Sequence, residues 1–237
     1  MPLGMLYRRM LRYPLWRLTN PAAPYEQYYA HIVSKRLGQQ IEHDAIGANA
    51  RPIRAATELL DVMVDHGMRP EHRFVDYGCG SLRLGRPVVD YLNAGNFIGL
   101  DVTELFLELG KEFVGPRLMR EKRPMLKTIS REVLKEVATA QPNYIGSWHV
   151  CSKIPDRQLD RYFASVLGLM SRQSMAIIQF PRTTRRRRLN NLNWTLARSD
   201  FKELATAVHR DAKINFFDIT PPNPAGVAET YGCIYFA

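Results

Sequence analysis

The chain has 237 residues, 46% hydrophobic and 24% charged, which suits one soluble α/β domain, or one domain with an appendage. Its longest apolar runs, such as Ala164 to Met170, fall well short of the ~18 residues that span a bilayer. Three scattered cysteines, Cys79, Cys151 and Cys233, match neither a zinc spacing nor a disulfide framework and point to a reducing, cytoplasmic compartment, while 33 Lys and Arg against 23 Asp and Glu leave a net +10 that attracts anionic partners.

The first acidic residue is Glu26, and Arg8, Arg9, Arg12 and Arg17 precede it among Leu, Met, Tyr and Trp. Pro14 forbids a long helix there, and no continuous apolar stretch resembles a signal peptide. This basic arm is expected to pack on its own domain or on a partner subunit, with contact to a membrane surface as the alternative. From Tyr25 to about Gly67 the pattern is helical, broken near Gly38 and between Gly47 and Pro52, with Ile53, Ala56, Leu60 and Val64 on one stripe. Tyr25, Tyr28, Tyr29 and His31 form an aromatic stripe that reads as core, or as part of a lid.

Phe74-Val75-Asp76 reads as a short buried strand, and Leu84, Val88, Tyr91 and Leu92 as a helical stripe closed by the turn Asn93 to Asn96. A second strand covers Phe97 to Leu100 and a helix Glu104 to Val114. A third strand runs from Met125 to Ile129 before a charged helix, and a fourth from Tyr144 to Trp148. Pro155 to Met170 is a helix with Leu159, Phe163, Val166, Leu167 and Met170 on one face. Met175 to Phe180 is a fifth strand, and Asp200 to His209 a helix opened by Asp200 and Glu203 in capping-box spacing. Ile214 to Ile219 and Tyr231 to Phe236 are two closing strands around a rigid loop, Pro221 to Pro224. Five strand–helix alternations imply a parallel sheet covered on both faces, and two strands joined without a helix imply an antiparallel edge hairpin.

In such a sheet ligands bind beyond the carboxyl ends of the strands, and Phe74 to Gly80 lies there. A dinucleotide site needs Gly-x-Gly-x-x-Gly, but Arg83 stands at the third glycine position. An acid precedes the glycines instead, giving Asp76-x-Gly78-x-Gly80, and Asp101 follows at the end of the second strand, where a carboxylate can hold both ribose hydroxyls. A ligand with a ribose and an ammonium group but no pyrophosphate fits that set better than NAD.

Three segments in this order, "VDYGCGSLRLGRPVVDYL", "FIGLDVTE" and "SWHVCSKIPDRQLDRYFASVL", resemble the motifs of bacterial class I S-adenosylmethionine-dependent methyltransferases. The resemblance covers most of Arg69 to Ala237. It implies a three-layer αβα Rossmann-like fold, a seven-stranded sheet with an antiparallel edge hairpin and, before it, an N-terminal helical extension over residues 1–68. It also implies the cofactor S-adenosyl-L-methionine, with Asp76, Tyr77, Gly78, Cys79, Gly80 and Arg83 forming the loop around its methionine part. Asp101 would accept from the ribose, Val102, Ile129 and Ser130 would wall the adenine, and Ser147, Trp148 and His149 would line the sulfonium side. Departures lie after the fourth strand, where His149 and Lys153 replace the usual Ser and His, and before it, where Asn143 replaces the common Asp. His149 is the candidate base for an acceptor that must lose a proton. It forms a lone His-x-Cys pair with Cys151, so no metal site is expected.

Arg182 and Arg185 to Arg188 follow the fifth strand on the rim that carries the cofactor. They are the expected hold on a small anionic acceptor, a metabolite, sugar or lipid-linked intermediate. An RNA acceptor and a non-catalytic cofactor-binding subunit of a complex are the alternatives, and a homo-oligomer is compatible with either.

Overall fold

The computed structural model describes residues 12–21, 23, 27–32, 57–190 and 193–236. A short helix, α1 (Arg12–Thr19), carries Pro14 in its first turn, where the missing N–H leaves no bond unmade. Residues 27–32 are helical, and α2 (Glu58–Asp65) follows. Alternation then begins with β1 (Phe74–Tyr77), α3 (Gly85–Tyr91), β2 (Phe97–Asp101), α4 (Glu104–Val114), α5 (Pro116–Lys122), β3 (Met125–Thr128), α6 (Arg131–Thr139) and β4 (Tyr144–Ser147). Two 3-10 turns, Cys151–Lys153 and Asp156–Gln158, lead into α7 (Leu159–Leu167) and β5 (Met175–Arg182). A small hairpin, β6 (Arg187–Arg188) and β7 (Trp194–Thr195), precedes α8 (Arg198–Val208), β8 (Lys213–Asp218) and β9 (Ala228–Tyr235).

The main sheet has seven strands in the order β3-β2-β1-β4-β5-β9-β8. The first five are parallel, and β9 runs antiparallel between β5 and β8. Every residue of β1, β2 and β4 is buried, because helices cover both faces. One apolar layer joins Val75, Ile98, Ile145 and Ile178 to Phe163 of α7 and Phe201 of α8. The opposite layer joins Phe74, Ile177 and Cys233 to Leu59 and Met63 of α2 and Val88 of α3. Alternating strand residues therefore serve opposite layers. Strand order reverses at β1, so the carboxyl ends of β1 and β4 diverge and open a crevice there.

The sequence places the inner face of α2 one residue out of phase. Leu59 and Met63 are fully buried, whereas Leu60 is half-buried and Val64 is 40% exposed. Ile53, Ala56 and the helix breaks expected near Gly38 and between Gly47 and Pro52 lie outside the described residues, as does Tyr25. Tyr28 is core, packed with Tyr13, Ile32 and Trp194 in a satellite cluster. The capping residue of α8 is Ala197, and Asp200 sits at its third position, accepting from the Ala197 N–H at 3.4 Å. Among the described residues no helix is long and apolar enough to cross a membrane.

Candidate functional site

The chain leaves β1 through a loop folded back on β2. The N–H groups of Gly78 and Cys79 both donate to the Leu100 carbonyl, at 2.7 and 3.0 Å. Gly78 adopts φ +81°, and a Cβ there would stand 2.2 Å from Val150 Cγ2. Gly80 adopts φ +54° and donates its N–H to Asp101 Oδ2 at 2.8 Å, but nothing lies within 4 Å of where its Cβ would be. The first glycine therefore lets two parts of the chain touch, and the second leaves room beside Asp101. The other Asp101 oxygen accepts from the Thr103 N–H at 3.2 Å.

Two carboxylates are buried here. Burial pushes the Asp76 carboxyl up to about 7, helped by the neighbouring charge of Asp101. Burial likewise pushes Asp101 up to about 6, against the backbone N–H groups of Gly80, Thr103 and Val102, which favour its ionised form. Cys79 beside them is held as a neutral thiol, its pKa raised by burial and by both acids. Each acid keeps its proton in the folded chain at a pH where the unfolded chain, with a pKa of about 3.9, has lost it. The stability these two acids contribute is thus full below about pH 4 and is lost as pH rises through 6 to 7. The urea midpoint is expected to fall between pH 5 and pH 8, and Asp76→Asn to flatten that fall. An equally steep fall in the variant would show that Asp76 ionises freely.

The turn after β4 holds a second group. Ser147 is fully buried and donates to the Tyr77 carbonyl at 3.0 Å, with the Tyr162 hydroxyl 2.7 Å away. Trp148 is 4% exposed, its ring 5.8 Å from that of Tyr231, and its indole N–H has no hydrogen-bond partner among the described residues. His149 is exposed at φ +60°, an uncommon backbone for a side-chain-bearing residue. Its N–H donates to Gln179 Oε1 at 2.9 Å, and the Gln179 amide donates in turn to the Glu229 carboxylate. Gln179 is 1% exposed, so both of its bonds are made away from solvent.

Asp76, Tyr77, Gly78, Cys79, Gly80, Arg83, Asp101, Val102, Ile129, Ser130, Trp148 and His149 all line one cleft of about 1250 Å³. Its walls also include Glu58 of α2, Gln179, Glu229, Asn193 and Thr220, which carry no sequence motif. Tyr29 also lines it, and Asn223 of the loop before β9 joins it. Ser130 borders the cleft while its hydroxyl caps α6, accepting from the Val133 N–H at 3.2 Å.

Six residues expected in the site lie elsewhere. Ser147 is a core residue beneath the cleft floor, its hydroxyl committed to Tyr77 and Tyr162. None of Arg182, Arg185, Arg186, Arg187 and Arg188 lines the cleft. The chain turns into the β6–β7 hairpin after β5, where nearby oxygens accept from three of these guanidinium groups and two carboxylates face a fourth. Arg182 pairs with Asp218 at 3.2 Å, and Arg186 lies 3.9 Å from Asp156 and 3.7 Å from Asp200. Arg187 donates to the Ala225 carbonyl at 2.6 Å and Arg188 to the Asn190 carbonyl at 2.9 Å. Arg185 is exposed outside the cleft. Ala225 and Asn190 do line the cleft, so Arg187 and Arg188 brace its rim from behind.

No family model and no curated protein sequence matches the chain. Its fold is similar to the methyltransferase domain of bacterial CtHen1-C, with a TM-score of 0.58 at 16% identity over 77% of this chain and 98% of that one. It is similar to magnesium protoporphyrin IX methyltransferase (ChlM) from Synechocystis PCC 6803 with bound SAM, with a TM-score of 0.57 at 11% identity over 98% of this chain and 94% of that one. A complex of DhpI with SAH gives a TM-score of 0.56 at 11% identity, covering 90% and 95% of the two chains. The architecture is that of the class I methyltransferase fold, with an antiparallel edge pair.

Proposed function

We propose that the protein is a methyltransferase that uses S-adenosylmethionine and acts on a small-molecule acceptor. The observation that carries this reading is the Asp76–Gly78–Gly80 loop tied to Asp101, with open space at Gly80 and Arg83 where a dinucleotide site needs glycine. The Asp101 oxygens accept the Gly80 and Thr103 N–H groups, one on each oxygen, and with about four lone-pair positions in all still have acceptor capacity for a ribose. Asp76 is a buried acid whose carboxyl is raised by burial and by Asp101, with no cation among the described residues to lower it, and an ammonium group would compensate its charge. Val102 and Ile129 offer half-buried apolar walls for the adenine. When bound, the cofactor supplies a methyl group on a positively charged sulfur, an electrophile that leaves as a neutral thioether. The chain's own part is alignment of the acceptor and exclusion of water, with His149 exposed on the cleft wall to take a proton where the acceptor must lose one. Residues 69–237 form the methyltransferase domain in this reading, and 1–68 the extension that supplies Tyr29 and Glu58 to the cleft. The likeness to solved methyltransferases supports it at the level of fold.

Thermal unfolding with S-adenosylhomocysteine tests the reading. At 100 times its Kd the ligand adds about 2.7 kcal/mol to stability, a shift of several degrees in Tm. NAD and NADP are expected to leave Tm unchanged. A shift with NAD and none with S-adenosylhomocysteine would overturn the assignment.

A further inference from the structure

The cleft has a second arm, between the helices that follow β3 and β4. From α6 it is lined by Arg131, Leu134, Lys135 and Ala138, and from α7 and its cap by Arg161, Ala164, Ser165 and Gly168. Both sets follow the spacing i, i+3, i+4, i+7, which is one face of a helix. Two such faces turned to one cavity make an interhelical groove. Because β3 and β4 run the same way in the sheet, α6 and α7 both start at its carboxyl edge and lead away from it together. Charge is divided along their length. Arg131 opens α6, Lys135 stands one turn on, and Arg161 lies in the first turn of α7, all three exposed. Further from the edge the lining is small and uncharged. Among the described residues no acid lines this arm. The acids of the cleft are Glu58 on α2, Asp76 and Asp101 on β1 and β2, and Glu229 on β9. Those of α6 are turned aside, Glu136 pairing with Lys127 at 2.7 Å and Glu132 accepting from the Ser130 hydroxyl at 3.0 Å. Lys135 attracts Glu132 without pairing with it, and neither Lys135, Arg131 nor Arg161 forms an ion pair among the described residues.

We propose that this groove binds a small amphipathic phosphate, at a site separate from the place beside Asp101 assigned to the cofactor. Three like charges around one groove repel one another until an anion sits between them. Two of the cations stand on one wall and one on the other, so they close on a phosphate at the end nearest the sheet edge. A dianion suits three cations better than a carboxylate does, and the planar guanidinium groups of Arg131 and Arg161 match phosphate oxygens in pairs. The uncharged half takes the apolar body of the ligand. Ala138, Ala164 and Gly168 leave room for it, while Leu134 and the buried Leu169 give it apolar contact. From Arg131 to Ala138 the groove runs about 10 Å along the helix axis. That length suits one small molecule and is too short for a partner helix or a tracked strand of nucleic acid.

Calorimetry with octyl phosphate, kept below the concentration at which it forms micelles, tests this against inorganic phosphate and octanol. The wild type should bind a single octyl phosphate about tenfold or more tighter than either of the other two. Lys135→Glu combined with Arg161→Glu should weaken that binding by about tenfold or more. Ala164→Phe fills the groove from an exposed position and should do the same with the charges intact. Both variants should keep their affinity for S-adenosylhomocysteine within about twofold of wild type. A wild type that shows no saturable binding of octyl phosphate overturns the inference and needs no variant to do so. Inorganic phosphate bound as tightly as octyl phosphate overturns it as well, and so does binding that survives either variant. A single-stranded oligoribonucleotide that displaces octyl phosphate and is lost on charge reversal would assign the cations to RNA and overturn it too. The groove owes nothing to the cofactor. Octyl phosphate bound without S-adenosylhomocysteine leaves this inference standing and removes the methyltransferase reading, whereas the reverse removes this inference alone.

Discussion

Replacing Gly78 by Ala is expected to destabilise the protein by about 2–4 kcal/mol and to abolish binding of S-adenosylhomocysteine. The backbone there lies at φ +81°, which costs a side-chain-bearing residue roughly 1–2 kcal/mol. The new methyl would also meet Val150 Cγ2 at 2.2 Å, and the turn after β4 must move to make room. Gly80→Ala is the informative contrast. It shares the positive φ but meets no atom, so its stability cost should stay near 1–2 kcal/mol. Its methyl would nevertheless occupy the open space beside Asp101, and affinity should fall by about tenfold or more. Urea denaturation and calorimetry on the two variants separate these effects. A Gly80→Ala protein that binds like wild type would place the ligand elsewhere.

Asp101→Asn should lower affinity for S-adenosylhomocysteine by more than about tenfold while leaving stability at pH 7 almost unchanged. An amide keeps the shape but offers one acceptor oxygen where the carboxylate offers two. Either the Gly80 N–H or the Thr103 N–H loses its partner, and the ribose loses a charged acceptor. Against this, the buried charge itself is removed, and its pKa near 6 marks burial as unfavourable to that charge. The two stability effects oppose, whereas both binding effects point one way. An affinity within about twofold of wild type would show that another residue receives the ribose.

The elements that position the glycine loop and Asp101 are legible because several physical signals coincide there. Phe74 to Tyr77 and Phe97 to Asp101 are short apolar runs buried on both faces, and the glycine spacing after the first marks where the backbone must turn. The helix Glu104–Val114 matches its expected bounds, since Thr103 caps it by accepting from the Phe106 N–H and Gly115 ends it at φ +87°. Other elements give weaker signals. The α5 helix Pro116–Lys122 buries Leu118 alone, so it has almost no apolar period, although Pro116 at its start is a helix-opening cue. The two-residue strands Arg187–Arg188 and Trp194–Thr195 are too short for any alternation.

That hairpin explains why the arginine run lies off the cleft. In sequence it follows the carboxyl end of β5, but carboxylates from three separate segments, Asp156, Asp200 and Asp218, reach it only in the folded chain. The wall formed by Gln179 and Glu229 is illegible for a related reason. Gln179 reads as one polar residue in a buried strand, and Glu229 as an ordinary charge near Tyr231. Their meeting depends on β9 lying antiparallel beside β5, where Pro181 pairs with Glu229 and Gln179 with Tyr231. A register of that kind has no local signature.

Insertion of β9 between β5 and β8 also constrains how the chain can fold. Within the main sheet β8 pairs with β9 alone, so the β8–β9 hairpin joins the sheet only when β9 docks on β5. That docking closes a long loop whose entropy must be lost before its contacts form, which slows folding. Until then β5 is an unpaired edge carrying Ile177, Ile178 and Phe180, a run of strand-forming apolar residues open to pairing with another chain. The strand that carries Glu229 to the cleft thus also closes this aggregation-prone edge, and a substitution that slows its docking would lower the yield of native protein even where the finished structure tolerates it.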